Sequence, residues 1–236
     1  MRAETIGAAM LGGWGGFALA YAAFLLTHLI PVRPPVRPWL VARLGPTGFG
    51  LAYSALSLAV LVWLFLAARA APFVPLWFPP DWGAHVTLLA MLLACLMLAF
   101  AAFRPNPLSF AGWRNACFDP AAPGIVGFLR HPVLAALALW AGGHLAANGD
   151  LAHVLLFGGF AGFALLGQAM IDRRRRREMG PEAWARLVAT ARANRWRQGV
   201  GGETALRLVA GLALVLLLIA LHPWLAGVPV AGRFLP

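Results

Sequence analysis

Six long stretches of this 236-residue chain contain no charged side chain. Each runs for roughly 20 residues, the length an α-helix needs to cross the ~30 Å hydrocarbon core of a bilayer. They lack the alternation of polar and apolar residues that is typical of barrel strands, so helices are the spanning structure that satisfies their backbone hydrogen bonds. The stretches are residues 6–29, 44–68, 82–103, 131–149, 151–171 and 208–232. The sequence therefore predicts an all-α fold, a polytopic bundle of six transmembrane helices.

The distribution of arginine predicts which side of the membrane each connection faces. All 19 basic residues are arginines, against 8 acidic residues. Ten arginines lie between the fifth and sixth stretches and three each in the first and third connections, whereas the opposite side holds only Arg2, Arg69 and Arg233. Because arginine-rich loops stay in the cytoplasm, both termini are predicted to lie outside it. No recognition motif accompanies the positive charge, so nucleic-acid binding is not expected.

Residues 172–205 form a basic segment with a helical pattern. Pro181 is a residue favoured at the first position of a helix. Apolar residues follow at the spacings i, i+3, i+4 and i+7 of an amphipathic helix, namely Trp184, Leu187, Val188 and Ala191. We expect this helix to lie on the cytoplasmic membrane surface, with the arginines between Arg173 and Arg207 contacting anionic lipid headgroups. The segment ends a transmembrane domain of residues 1–205, to which residues 206–236 add a C-terminal transmembrane helix.

Six histidines lie within or beside the predicted spans, where ionisable groups are costly and are often functional. The predicted topology places two of them, His28 and His131, at cytoplasmic helix ends. The four at outer helix ends are His85, His144, His153 and His222. His131 and His144 are 13 positions apart, which is ~20 Å along a helix. Two nitrogens bound to one iron lie only ~4 Å apart, so His131 and His144 cannot share one metal ion.

At the outer side, His85 and His144 come from different helices at similar depth. Two imidazoles brought together between helices are the usual arrangement for a b-type haem, and Trp140 is an aromatic residue that could line the porphyrin. His153 or His222 could replace either histidine. The alternative is that these imidazoles are packed and hydrogen-bonded without a metal.

At the cytoplasmic side, Arg130 and His131 precede Pro132 at a helix entrance. The free backbone amides of a first turn attract anions, so this pair could hold a phosphate or a carboxylate. The alternative is that the two side chains anchor the helix at the membrane interface.

Three segments resemble NnrU-like proteins, bacterial integral membrane proteins linked to denitrification and related to 15-cis-ζ-carotene isomerase. They read "THLIPVRP", "GAHVTLLAMLLACLMLAF" and "FLRHPVLAALALWAGGHLAANGDLAHVLL". The strongest motif is RHP at residues 130–132, followed by Trp140, His144 and the NG pair at 148–149. The resemblance covers about residues 18–196 and leaves the last predicted helix outside.

The isomerase is similar to this chain at His28, His85, His131 and His144, and it binds haem b. The resemblance implies a haem-binding protein of the bacterial inner membrane with a redox or isomerase-like role on a lipid-soluble substrate. It implies haem ligation by His144 and His28, whereas the depth argument favours His85 as the partner. The candidate metal ligands are therefore His144, His85 and His28, in that order.

Two alternatives remain open. The RHP hairpin is more distantly similar to isoprenylcysteine and phospholipid methyltransferases, which would imply S-adenosylmethionine held near Arg130 and His131 at the cytoplasmic face. The other alternative is a non-enzymatic membrane accessory factor of denitrification, in which the histidines are merely packed.

Overall fold

A computed structural model of the chain describes residues 12–110, 112–197 and 202–230. Within these residues the fold is all-helical, and no strand is formed. The described residues form seven α-helices, which are α1 (Gly13–Leu29), α2 (Val36–Ala70), α3 (Asp81–Ala101), α4 (Pro132–Ala147), α5 (Leu151–Met179), α6 (Pro181–Ala193) and α7 (Gly202–Ala226). Two 3-10 turns, Asn115–Cys117 and Gly124–Gly127, lie between α3 and α4. The predicted all-α class is confirmed.

Four helices, α2, α3, α5 and α7, are long and apolar enough to cross a membrane. The other two apolar helices are shorter, with 17 residues in α1 and 16 in α4. At 1.5 Å per residue they measure ~24–26 Å, a few ångströms less than the hydrocarbon core. The chain is thus a multi-pass membrane protein, and the count of six spans stays a prediction. Residues 6–11, the predicted start of the first span, lie outside the described residues.

Helix boundaries follow from proline, glycine and the end of the apolar runs. Pro132 and Pro181 each open a helix at its first position, where the missing amide hydrogen costs nothing. Gly180 separates α5 from α6 with a φ of 83°, a conformation that favours glycine. Helix α2 begins at Val36, eight residues before the charge-free stretch, and bends at Gly45, where φ is 70°.

The described chain divides into two compact units. The N-terminal unit comprises the chain up to Leu76 together with Asp150–Leu156. In it α1 contacts α2, and Phe17, Ala20 and Leu64 are buried. The C-terminal unit comprises Trp77–Gly149 and the chain from Phe157 onward. Its helix α3 packs against both α4 and α7.

The contact between α3 and α4 is close because small residues line it. A Cβ atom added at Gly143 of α4 would lie 2.8 Å from the Cβ of Ala90 on α3. The Thr87 hydroxyl donates a 2.7 Å hydrogen bond to the Gly143 carbonyl. One turn away, a Cβ added at Gly83 would lie 3.0 Å from the Ala146 carbonyl oxygen. These contacts show that the two helices run antiparallel.

The contact between α3 and α7 combines a glycine with charged groups. A Cβ atom added at Gly211 of α7 would lie 2.8 Å from a side-chain methyl of Leu96 on α3. The Arg207 guanidinium donates to the carbonyl oxygens of Ala99 and Ala102 at the end of α3, at 2.5 and 3.1 Å. Free carbonyls at a helix end accept such donors readily. Helix α7 is therefore fixed antiparallel to α3.

Helix α6 begins at Pro181 as expected, but part of its apolar side packs on protein. Ala191 is buried, and a Cβ added at Gly127 of the second 3-10 turn would lie 2.9 Å from its carbonyl oxygen. The rings of Phe128 and Trp196 also pack edge to face, with centroids 4.7 Å apart. The loop before α4 therefore covers Ala191, and the position of α6 on the membrane surface stays a prediction.

Candidate functional site

Two imidazoles face each other in the C-terminal unit. His144 lies in the last turn of α4, and His222 lies near the end of α7. Their ring centroids are 6.5 Å apart and their planes differ by 21°. From the sequence, His222 was predicted only as a possible replacement for His85 or His144. The predicted topology gives the depth of a residue in the membrane, but it does not give which neighbouring helix the side chain faces.

In both His144 and His222, one ring nitrogen is hydrogen-bonded to a backbone carbonyl. His144 Nδ1 lies 2.8 Å from the Trp140 oxygen, and His222 Nδ1 lies 2.6 Å from the Val228 oxygen. A carbonyl oxygen only accepts, so both Nδ1 atoms carry the hydrogen and donate. Both Nε2 atoms then keep a lone pair, and neither bonds to any described residue. Metal-binding histidines have this arrangement, since a bond at one nitrogen fixes the tautomer that leaves the other available.

Aromatic side chains surround His144. The Trp140 ring lies one turn away on α4, with its centroid 5.4 Å from that of His144. Phe157 of α5 stacks on His144 at 5.0 Å and meets Trp140 edge to face at 5.3 Å. Phe160 contacts Trp140 at 5.5 Å. Trp140 thus lies beside His144 together with two phenylalanines from the first half of α5, and its role in lining a porphyrin stays a prediction.

His85 lies at the same level as this pair. Gly211 of α7 packs on Leu96 of α3, and the two helices are antiparallel. His85 lies 11 residues before Leu96, and His222 lies 11 residues after Gly211. Eleven residues are close to three full turns of a helix, so each histidine lies on the same side as the contact. His85 therefore lies on the side of α3 that faces α7, at the height of His222, and its side chain is exposed. The expected common depth of His85 and His144 agrees with this register.

Two further histidines, His28 and His153, belong to the N-terminal unit. His28 on α1 bonds through Nδ1 to the Phe24 carbonyl at 2.8 Å, and its ring contacts Phe24 and Tyr53. His153 bonds through Nδ1 to the Asp150 carboxylate at 2.8 Å. The pairing of His28 with His144, which the resemblance implies, stays a prediction.

Arg130 and His131 join a second polar cluster in the C-terminal unit. Arg130 Nε and Nη2 donate to the two carboxylate oxygens of Asp172 on α5, at 3.2 and 2.7 Å. His131 Nε2 lies 3.0 Å from Asp172 Oδ1, and His131 Nδ1 lies 3.1 Å from the Ser109 hydroxyl. The cluster is anchored by Asn106, whose amide donates to the Arg130 carbonyl at 2.9 Å.

The cluster is buried, and its hydrogen-bond partners determine where the hydrogen atoms lie. Among the described residues, the buried polar side chains are Asn106, Ser109 and His131, at 6%, 2% and 3% exposure. A carboxylate oxygen only accepts, so His131 Nε2 carries a hydrogen and donates it to Asp172. In the neutral ring, Nδ1 then accepts the hydrogen of the Ser109 hydroxyl.

The sequence predicts that Arg130 and His131 could hold a phosphate or a carboxylate, and in the structure they bind the carboxylate of Asp172. Asp172 accepts hydrogen bonds from both side chains and so links the start of α4 to α5. Neither Asp172 nor Ser109 was among the residues selected from the sequence. The available signal for Asp172 was its position, since it is the acid that directly follows the charge-free stretch and precedes five arginines.

A family model described as NnrU protein matches residues 16–230. This chain belongs to the NnrU family. The match includes α7, which the resemblance based on motifs had left outside. Searches of the curated proteins and of the solved structures found no match for this NnrU-family chain.

The separation of the His144 and His222 rings is compatible with two imidazoles on one iron. Imidazole nitrogens bind such metals at about 2 Å, and each ring adds about 1 Å, so the centroids of two rings on one iron lie roughly 6 Å apart. The pair in this NnrU-family protein has its centroids at 6.5 Å. Within the described residues, no three His, Cys, Asp or Glu side chains are grouped to hold a metal ion.

Proposed function

We propose that this NnrU-family protein binds a b-type haem in its C-terminal unit, with His144 and His222 as the iron ligands. The observation that carries the proposal is the pair of Nε2 lone pairs, left available because both Nδ1 atoms donate to backbone carbonyls. A haem supplies one-electron chemistry when bound. The role that follows is redox or isomerase-like, on a lipid-soluble substrate or in the nitrogen-oxide metabolism of denitrification.

The chain's own residues have defined tasks in this proposal. The carbonyls of Trp140 and Val228 fix the tautomer and the direction of the two imidazoles. The rings of Trp140 and Phe157 cover His144 and keep water from it. An apolar surround of this kind tunes the properties of a bound metal through the local dielectric.

The proposed setting is the bacterial inner membrane. We propose six spans with both termini outside the cytoplasm, which follows from the distribution of arginine. The His144 pair then lies towards the outer side. The arginines between Arg173 and Arg207 lie at the cytoplasmic surface, next to anionic headgroups.

The test is the absorption spectrum of the purified protein. We expect a Soret band in detergent, and its loss in both His144→Ala and His222→Ala. The matched control is His153→Ala, which removes a histidine of the N-terminal unit that is bonded to Asp150 and should leave the band unchanged. His85→Ala and His28→Ala complete the set, because loss of the band in one of them and not in His222→Ala would reassign the second ligand.

A colourless protein that takes up no haem on reconstitution would contradict the proposal. In that case, binding of S-adenosylmethionine would support a methyltransferase, and binding of neither would support an accessory factor of denitrification. The structure offers less for the methyltransferase alternative, because Asp172 already occupies Arg130 and His131.

A further inference from the structure

Helix α5 carries an exposed stripe that changes from apolar to cationic along its length. Its residues follow one another at intervals of three and four, which places them on one side of a helix. They are Phe163, Leu166, Met170, Arg173 and Arg177. The first three are 51%, 69% and 58% exposed, and both arginines are exposed as well. We propose that this stripe binds an anionic phospholipid, with an acyl chain along the apolar residues and the phosphate between Arg173 and Arg177.

The cationic end of the stripe forms a groove. Met170, Arg173, Arg176 and Arg177 border an open groove of about 520 Å³ on the surface of α5. Arg176 is held at one edge, where its guanidinium lies over the Trp184 ring at 5.7 Å from the centroid. The groove is therefore an open surface bordered by one apolar side chain and three arginines.

Arg173 and Arg177 carry charge that the described part of the chain does not neutralise. The neighbouring acids are already engaged, since Asp172 binds Arg130 and His131, and Glu178 binds Arg174 and Arg175 at 2.6 and 2.9 Å. The structure thus divides the five consecutive arginines into neutralised and available members. An anion is the complementary partner of the available ones.

The position of the groove selects a lipid as the source of the anion. The charge-free residues 151–171 extend ~32 Å as a helix, which matches the hydrocarbon core of ~30 Å. The headgroup layer adds about 5–7 Å on each side, and Arg173 to Arg177 cover ~6 Å along the axis. The arginines therefore lie at headgroup height, directly above exposed residues that contact acyl chains. A soluble anion would use the arginines and gain nothing from Leu166 and Met170.

Native mass spectrometry in detergent tests the site. We expect the wild type to retain phosphatidylglycerol in preference to phosphatidylcholine with the same acyl chains. Each arginine removed near a membrane surface weakens binding roughly fivefold, so Arg173→Gln and Arg177→Gln should each show that loss and the double variant more. The matched control is Arg174→Gln in the same run, which should retain phosphatidylglycerol because Glu178 already neutralises Arg174.

Several outcomes would overturn the inference. Equal retention by the double variant and the wild type would do so, as would an equal loss in Arg174→Gln. Competition by millimolar glycerol phosphate would assign the groove to a soluble anion instead of a lipid. If the double variant did not elute as a single species, the two single variants would decide. The inference rests on the proposed membrane position of α5 and not on haem. If the double variant had a normal Soret band and retained phosphatidylglycerol as the wild type does, the lipid site would be contradicted and the haem proposal would not.

Discussion

Asp172 is the residue that joins the start of α4 to the end of the fifth apolar stretch. Its carboxylate accepts two hydrogen bonds from Arg130 and a third from the buried His131. The sequence shows that Arg130 and His131 favour an anion, and this preference can be predicted because it depends on the residue types alone. The identity of the anion could not be predicted, because it depends on which side of α5 faces α4.

We expect Asp172→Asn to lower the free energy of unfolding by about 1–2 kcal/mol. Charge-assisted hydrogen bonds contribute about 1.5–3 kcal/mol, and the exposure of Arg130 screens part of that. Thermal unfolding in detergent measures the change. The control is Glu182→Gln, whose ion pair with Arg186 is long, at 3.7 Å, and exposed, so its effect should stay within about 0.5 kcal/mol. If the two variants were equally stable, the hydrogen bonds of Asp172 would not contribute to the stability of the fold.

At the scale of helices, composition determined most of what could be predicted. The starts of α4 and α6 follow from Pro132 and Pro181, and charge-free stretches of the chain form the apolar helices. Helix α5 continues past the charge-free stretch to Met179, because the arginines after residue 171 are good helix formers. The pairing of His144 with His222 was left open, since it requires knowing that α7 packs beside α3.

The contact of α3 with α4 gives a prediction at this scale. We expect Gly143→Ala to destabilise the protein by about 1–3 kcal/mol, because the added methyl group meets Ala90 and the helices must separate. Gly142→Ala is the matched control on the same helix, where a Cβ meets nothing within 4 Å. Thermal unfolding should separate the two variants, and the Soret band should weaken only in Gly143→Ala, because His144 is the next residue. Equal tolerance of both changes would contradict the packing of α3 on α4.

For the whole molecule, the charge pattern predicts an orientation that the helices alone do not determine. Four helices have the length and hydropathy of spans, and the count of six requires that the two shorter apolar helices also cross the membrane. The family match extends through α7 to residue 230, so the last helix belongs with the rest of the chain. Sidedness depends on the arginines and is open to measurement.

The two cysteines provide a natural test of sidedness. Cys117 lies exposed between α3 and α4, and Cys95 is buried within α3. A membrane-impermeant maleimide should leave intact spheroplasts unlabelled and react once at Cys117 after permeabilisation, because that connection carries three arginines. Cys117→Ser is the control that should abolish labelling. Reaction in intact spheroplasts would reverse the predicted orientation.

The shortness of α4 has an electrical consequence. Its 16 residues make it the shortest apolar helix described, and the imidazoles at its two ends are ~20 Å apart along the axis. In the proposed six-span arrangement, a helix this short would be matched by a locally thinner hydrocarbon layer than the usual ~30 Å. The membrane voltage would then fall over a shorter distance, and a charge displaced beside His144 would experience a steeper gradient than one in the surrounding lipid.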